Sequence, residues 1–308
     1  MNKQNHISPS YDQNILRKSL IKSGMDVTMI ELIVKRFEEG EEKDYLREFQ
    51  GALSYWAEIL QDTKQRVIVT LDGRDTAGKG SNIKKVNEQL NNRKFGVTAF
   101  EGIPTPEERK GENWFKKFSS SFPKKGSIQF YDRSWYNRAG VEAAMGFCTQ
   151  EEYDWFMQYV NNFEAGIVDE GFDFLKIYLS IGKKVQKERL KAREGVRKRW
   201  KSSPVDAEAQ EKWGQYTLAK HQILEHTDSA HAPWIIIDST ERFLSAGEII
   251  KAIIGTRDDV RKTISKELSL DLSPDNNIVR TGKQELDRMK ELGQIPTGKT
   301  FKFKEVLV

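Results

Sequence analysis

RVIVTLDGRDTAGKGS, residues 66–81, passes from a nearly continuous apolar run straight into a glycine-rich turn with an embedded lysine. Val67, Ile68, Val69 and Leu71 are the content of a central parallel strand covered on both faces. Gly73, Gly78 and Gly80 then allow a sharp turn that carries backbone N–H groups up against an anion. From Asn82 to Leu90 the pattern predicts a helix whose N-terminal dipole faces the same anion. The spacing Gly73-x4-Gly78-Lys79 is the core of a phosphate-binding loop. Its candidate phosphate contacts are Gly73, Ala77, Gly78, Lys79, Gly80 and Ser81.

Two departures from the ordinary loop are informative. Where a Ser or Thr hydroxyl normally follows the lysine and reaches a magnesium ion, this chain has Gly80 and only then Ser81. An acid, Asp75, also stands among the glycines. A carboxylate beside a phosphate chain is repelled unless a divalent cation lies between them. Asp75 is therefore expected to bind metal or to handle a proton. The bland alternative is a plain strand–turn–helix with surface polar residues; strand, glycines and lysine standing in register argue against it.

Five short apolar runs follow one another at strand-like lengths: Val67–Leu71, Val97–Phe100, Ile128–Tyr131, Phe174–Leu179 and Trp234–Ile237. Strands alternating with helical segments predict a parallel sheet with helices on both faces, and ligands in such sheets bind beyond the carboxyl ends of the strands. Residues 1–60 read as an N-terminal helical extension, disordered over 1–10, with Leu46, Phe49, Leu53, Trp56 and Leu60 at spacings of three and four on one helix face. The α/β domain spans 61–256. Residues 257–308 form a C-terminal extension with no role assigned, whose last residues, FKFKEVLV, could add an edge strand or dock as a tail.

The third run ends SIQFYDRSWYNRAGVE, residues 127–142. Asp132, an acid closing an apolar strand beside a phosphate loop, is the expected second metal-handling carboxylate. Arg133, Asn137 and Arg138 follow it, and paired arginine N–H donors can bridge phosphoryl oxygens; a local salt bridge of Asp132 with Arg133 is the plain alternative. Trp135 and Tyr136 read as core aromatics. Between the second and third runs, Pro104 and Pro106 make a stiff turn that presents Arg109 as a nucleotide contact or as a solvated charge.

Net charge is only +4, yet ten basic residues and two acids fall between Lys183 and Lys201. As one helix, this run would place Arg189, Arg193 and Arg197 on a single face, and such stacked cations call for an external anion. Nucleic acid, a polyphosphate chain and nucleotide phosphates all answer to that description. With Lys198, Arg199 and the segment to residue 227, the run reads as a lid closing over phosphates. The mean hydropathy of −0.67 and the want of a 20-residue apolar stretch argue against a membrane span. The polar N-terminus and the single cysteine, Cys148, fit the cytoplasm. His6, His221, His226 and His231 show no metal-ligand spacing and read as structural.

These segments together resemble the polyphosphate kinase 2 family, the polyphosphate:nucleoside phosphotransferases. The resemblance is carried by GRDTAGKG (73–80), YDRSWYNRAGVE (131–142), KRWK with Ser203-Pro204 (198–204), and HAPW (231–234). It covers roughly residues 55–240, in the family's order; the second segment is the most specific. It implies a thymidylate-kinase-like P-loop fold: a three-layer α/β sandwich with a five-stranded parallel sheet and a helical lid over about 183–227. It also implies a Mg2+-dependent transfer, with Mn2+ as a substitute, between inorganic polyphosphate and a nucleoside mono- or diphosphate, ADP to ATP being the expected direction.

By the same resemblance, Asp75 and Asp132 serve at the metal, and Lys79 holds phosphate. Arg133, Arg138 and the lid residues Arg189, Arg193, Arg197, Lys198 and Arg199 contact polyphosphate or nucleotide. Thr105 stands where the family often has a lysine, while the arginine matching Arg109 is present. An ATP-dependent nucleoside monophosphate kinase is the alternative, and a nucleic-acid-binding NTPase module a more distant one. Neither nucleic acid nor membrane is the expected partner; a homo-oligomer, dimer or tetramer, is.

Overall fold

Six strands form one sheet in the computed structural model, which describes residues 27–100, 104–193, 208–295 and 300–303. They are β1 (Arg66–Gly73), β2 (Phe95–Ala99), β3 (Ser127–Asp132), β4 (Phe172–Ser180), β5 (Trp234–Asp238) and β6 (Val279–Thr281). Their order across the sheet is β2-β3-β1-β4-β5-β6. The first five are parallel, as their apolar runs predict; β6 pairs antiparallel with β5. The expected five-stranded parallel sheet is thus a mixed six-stranded one. β6 escapes a reading of apolar runs because it is three residues long, Val-Arg-Thr, and lies on an edge.

Alternation along β1 divides the sheet into two faces. Ile68, Thr70 and Asp72 lie in register with Gln129 and Tyr131 of β3 and with Phe174, Lys176 and Tyr178 of β4. This face carries an aromatic core in which Trp114, Phe118, Tyr131, Trp135, Tyr136, Phe156 and Trp234 are all buried. The aromatics expected in the core, Trp135 and Tyr136, are there. Lys176 is wholly buried among them, and its ammonium donates to Glu164 at 2.6 Å and to the Thr227 carbonyl at 2.7 Å. A buried lysine without these acceptors would cost several kcal/mol. The opposite face is aliphatic: Val67, Val69 and Leu71 in register with Ile128 and Phe130, and with Leu175 and Ile177.

Among the described residues the longer helices are α1 (Val27–Thr63), α2 (Lys79–Val86), α3 (Asn113–Ser119), α4 (Gln150–Asp169), α5 (Lys183–Lys191), α6 (Trp213–Thr227), α7 (Arg242–Ile254), α8 (Asp258–Leu268) and α9 (Gly282–Glu291), with a single helical turn at Ala143–Met145. A 3-10 turn (Trp135–Asn137) and a π turn (Arg138–Glu142) follow β3. The chain divides into two units, Met1–Phe49 and Gln50–Val308. In the larger unit the second half of α1 buries Ala52, Leu53, Trp56 and Leu60, and Gln50 donates to the Lys85 carbonyl at the end of α2.

Two boundaries differ from the sequence reading. α2 begins at Lys79 and ends at Val86, so the lysine itself opens the helix. Along the basic run, α5 ends at Lys191 with Ala192 as its cap, and residues 194–201 lie outside the described residues. Moreover α6 buries Tyr216, Leu218, Ala219, Lys220, Ile223, Leu224 and Thr227, which makes residues 213–227 part of the body. Residues 257–295 also join that body: β6 extends the sheet, and Glu285 of α9 accepts from Lys220 of α6 and from Arg280 of β6. Phe301 and Phe303 rest on Tyr153 with no strand there among the described residues.

Candidate active site

The turn between β1 and α2 holds its shape through backbone conformations that only some residues tolerate. Gly73 has φ +139°, and a Cβ there would lie 2.5 Å from the Leu179 carbonyl of β4; Gly78 has φ +102°. Thr76 at φ +66° and Arg133 at φ +72° are non-glycine residues in the left-handed region, both beside the loop. No side chain caps α2, so the first-turn amides remain available to an anion.

The helices on the far side of the loop clasp it. Gln186 donates to the Asp75 carbonyl, and Arg189 donates to the carbonyls of Thr76, Ala77, Ser239 and Thr240. The Arg74 guanidinium lies 3.8 Å over the Trp213 ring and donates to the Trp213 carbonyl and Thr217 Oγ1. Burial and the nearby Arg242 lower Arg189 to about 10. Arg189, expected on a polyphosphate-facing surface, is therefore a strut under the loop, its terminal nitrogens given to main-chain oxygens.

Asp75, Lys79, Asp132 and Arg133 come together here. Arg133 donates to Asp75 Oδ1 at 2.6 Å, and the Tyr216 hydroxyl donates to Asp75 Oδ2 at 3.0 Å. Lys79 Nζ folds back onto the carbonyls of Gly73 and Arg74, at 2.9 and 3.1 Å. Burial alone would push the Asp75 carboxyl up, but Arg133 and Lys79 hold it below its usual range. Burial and Arg133 lower Lys79, while Asp75, Asp132 and Asp72 pull it the other way. Burial weakens Arg133, and Asp75 and Asp132 more than restore its charge. Two unit charges about 4 Å apart in an effective dielectric of about 20 interact by about 4 kcal/mol, against about 1 kcal/mol net for a neutral hydrogen bond. Charge balance decides this arrangement.

Gly80 now has a physical reason. A Cβ at residue 80 would sit 2.7 Å from Asp132 Oδ2. The acid from β3 thus occupies the space where the ordinary loop would begin its Ser or Thr side chain. Ser81 is half-buried in the first turn of α2, and Ala77 is fully buried with its carbonyl accepting from Ser239 Oγ at 2.7 Å.

Arg138 and Arg109 do not join this group. Arg138 is 1% exposed; it pairs with Glu142 and Glu152 and lies over the Trp114 ring. The π turn points it inward, so the expected phosphate contact is instead a brace for the segment after β3. Arg109 grips Glu152 with two nitrogens, at 2.8 and 2.7 Å, and also donates to the Phe147 carbonyl. That ties the proline turn to the start of α4. Asn137 lies in the 3-10 turn, half-buried. Arg193 closes the turn after α5; Arg197, Lys198 and Arg199 fall outside the described residues.

Two residues of the site carried no weight in the sequence reading. Tyr216 lies far along the chain from Asp75, and no local spacing links them. Asp72 was visible as an acid inside an apolar strand. It is buried and accepts from the Ser134 N–H at 3.2 Å and from Ser134 Oγ at 2.7 Å, which fixes the turn that carries Arg133. Burial raises its carboxyl to about 6 against the opposing pull of Ser134 and Lys79.

Residues 36–264 match the family model described as Polyphosphate kinase 2 (PPK2). The chain belongs to the polyphosphate kinase 2 family. It is 43% identical over 188 residues to NDP-polyphosphate phosphotransferase 2 of Ruegeria pomeroyi, covering 61% of this chain and 53% of that one. It is 34% identical over 242 residues to polyphosphate kinase PPK2B of Corynebacterium glutamicum, covering 78% and 77%. The crystal structure of polyphosphate kinase 2 from Arthrobacter aurescens TC1 superposes with a TM-score of 0.64 at 25% identity, covering 82% of this chain and 87% of that one. The chain thus spans about half the length of the first of these relatives. The fold is that of the family, and the match includes both the glycine loop and the β3 motif.

The Gly80–Asp132 contact is testable by stability. Gly to Ala in a first helical turn ordinarily gains about 0.5–1 kcal/mol. Here Gly80→Ala should gain nothing or cost stability in the natural background, and regain that increment when Asp132→Ala has emptied the space. Equal effects in both backgrounds, read from urea midpoints, would contradict the contact.

Asp72 gives a pH test. With its folded pKa above the ordinary 3.8, the folded state keeps a proton that the unfolded chain has released between about pH 4 and 6. Stability from this group is full below pH 4 and falls by at most about 3 kcal/mol as pH rises to 6. Asp72→Asn should remove that slope, so the stability of the variant relative to the natural chain rises from pH 4 to 6.5. A constant difference would contradict it.

Proposed function

We propose that this chain moves a phosphoryl group between inorganic polyphosphate and a nucleoside diphosphate, forming ATP from ADP reversibly with Mg2+, or Mn2+, as the metal. The observation that carries this is the gathering of Asp75, Lys79, Asp132 and Arg133 at one glycine loop in a chain of the polyphosphate kinase 2 family. The NDP-polyphosphate name borne by the Ruegeria relative points to the same substrate pair.

The donor set suits such a metal. Among the described residues no group of three or more metal-ligating side chains exists, and Mg2+ is commonly held by one or two carboxylates together with substrate phosphates and water. Asp75 and Asp132 are the residues that would hold it. When bound, it would neutralise charge between the acids and the phosphates.

The chain's own groups do the rest. The first-turn amides of α2 bind phosphate oxygens, and Lys79, released from the Gly73 and Arg74 carbonyls, adds a cation. Arg133 offsets charge on the transferred group. One P–O bond to the polymer breaks, with the electron pair staying on the shortened polymer. A new P–O bond forms to the terminal oxygen of the acceptor. Such a transfer needs positioning and charge neutralisation more than covalent help.

We propose a cytoplasmic setting; among the described residues no helix is long and apolar enough to cross a membrane. We also propose a homo-oligomer, on the amphipathic pattern of the N-terminal sequence.

Incubation with ADP, Mg2+ and inorganic polyphosphate, without any other donor, should yield ATP, and chelation of the metal should stop it. AMP, GDP and GMP tested alongside define the acceptor. Asp132→Asn should cut turnover on the order of a hundredfold or more. Absence of any nucleotide product with polyphosphate, or full activity of Asp132→Asn, would overturn the proposal.

A further inference from the structure

Lys176 of β4 and Glu164 of α4 form an ion pair at 2.6 Å on the aromatic side of the sheet, with neither side chain exposed. Burial pushes the Glu164 carboxyl up and the Lys176 ammonium down, each against the attraction of the other. Both shifts run toward the neutral forms, so desolvation outweighs the pairing, and the pair by itself is no gain in stability. Its remaining bonds show what it holds. Glu164 Oε1 accepts from the Trp135 indole N–H at 3.0 Å. Lys176 Nζ directs its three donors to Glu164, to the Thr227 carbonyl and, at 3.2 Å, to the Tyr136 hydroxyl.

Trp135 and Tyr136 stand just behind Arg133 in the chain. Arg133 has left-handed backbone at φ +72°, its N–H on the Leu71 carbonyl at 3.1 Å and its guanidinium on Asp75. A non-glycine residue keeps such a conformation only where its surroundings impose it. Each of the next three residues is fixed by a buried polar group from a different element. Asp72 of β1 holds Ser134, Glu164 of α4 holds Trp135, and Lys176 of β4 holds Tyr136. The Trp114 indole closes the set by donating to the Trp135 carbonyl at 3.1 Å. Apolar burial is non-directional and would enclose the two rings without setting their rotation; hydrogen bonds at the indole nitrogen and the hydroxyl set it.

We infer that the Glu164–Lys176 pair positions Arg133 for phosphoryl transfer, by holding Trp135 and Tyr136 so that the turn cannot relax out of its left-handed entry. This rests on the reading of Arg133 as the group that offsets charge on the transferred phosphoryl. Glu164 and Lys176 are positioning residues: wholly buried, they reach no substrate. Arg133 acts as charge develops, so a displaced turn lowers kcat and leaves the binding of both substrates in place.

The test replaces the pair by apolar side chains of similar volume, Glu164→Leu with Lys176→Met, which removes both charges together and leaves no unpaired ion in the core. With ADP and inorganic polyphosphate, kcat should fall about tenfold or more, and KM for each substrate should stay within about twofold of the natural value. Hydrogen exchange at the Ser134 and Tyr136 amides should speed up by about tenfold or more, while the β1 amides from Val67 to Leu71 keep their protection. If that double variant does not fold, Glu164→Gln with Lys176→Met, which keeps an acceptor for the Trp135 indole, carries the same test with a smaller loss. A kcat equal to that of the natural chain overturns the inference, as does a loss carried by KM. Exchange that rises equally over the turn and β1 overturns it too, because the pair would then serve the fold alone. A natural chain that forms no nucleotide from polyphosphate overturns the donor reading instead, and the exchange pattern still decides whether the pair holds the turn.

Discussion

The structure depends on a spatial exchange at residue 80. An oxygen of Asp132 stands where the side chain of that residue would begin, so glycine there and an acid at the end of β3 are one feature. The space that an ordinary loop fills with a side chain of its own helix is filled instead from the neighbouring strand, by a carboxyl group. That substitution forces the remaining charges into place. Arg133 has to approach Asp75, and Lys79 has to sit among three acids, because any one of these groups alone would be buried without compensation.

The scaffold exists to hold that balance. Asp72 fixes the turn after β3 through Ser134 and thereby sets the position of Arg133. Tyr216 fixes the other oxygen of Asp75 from a helix packed into the body. Gln186 and Arg189 take up the loop carbonyls. Each contact is worth on the order of 1–3 kcal/mol because one partner is charged or buried. Together they keep the loop in backbone conformations that Thr76 and Arg133 would not choose unaided.

The sequence displayed the parts of this design that are local. Strand β1, the glycines, Lys79, and the pair Asp132–Arg133 stand in one or two short segments with a period or a spacing that physics recognises, and the five parallel strands follow from their apolar runs. It concealed the parts that depend on long-range packing. Arg138 and Arg109 look like phosphate contacts in one dimension, but Glu152, which holds both, comes 14 and 43 residues later. β6 is too short and too polar to register as a strand. Tyr216 reaches the loop only because strand order and helix packing bring distant segments to one end of the sheet.

The most direct measurement of the central claim is a double-mutant cycle on turnover, using Asp75→Asn, Asp132→Asn and the pair together. If the two carboxylates act as one unit at the loop, the double variant should lose about as much kcat/KM as the worse single variant, because either change already disables the shared centre. Losses that multiply would mean that the two acids act independently, and would contradict a shared centre.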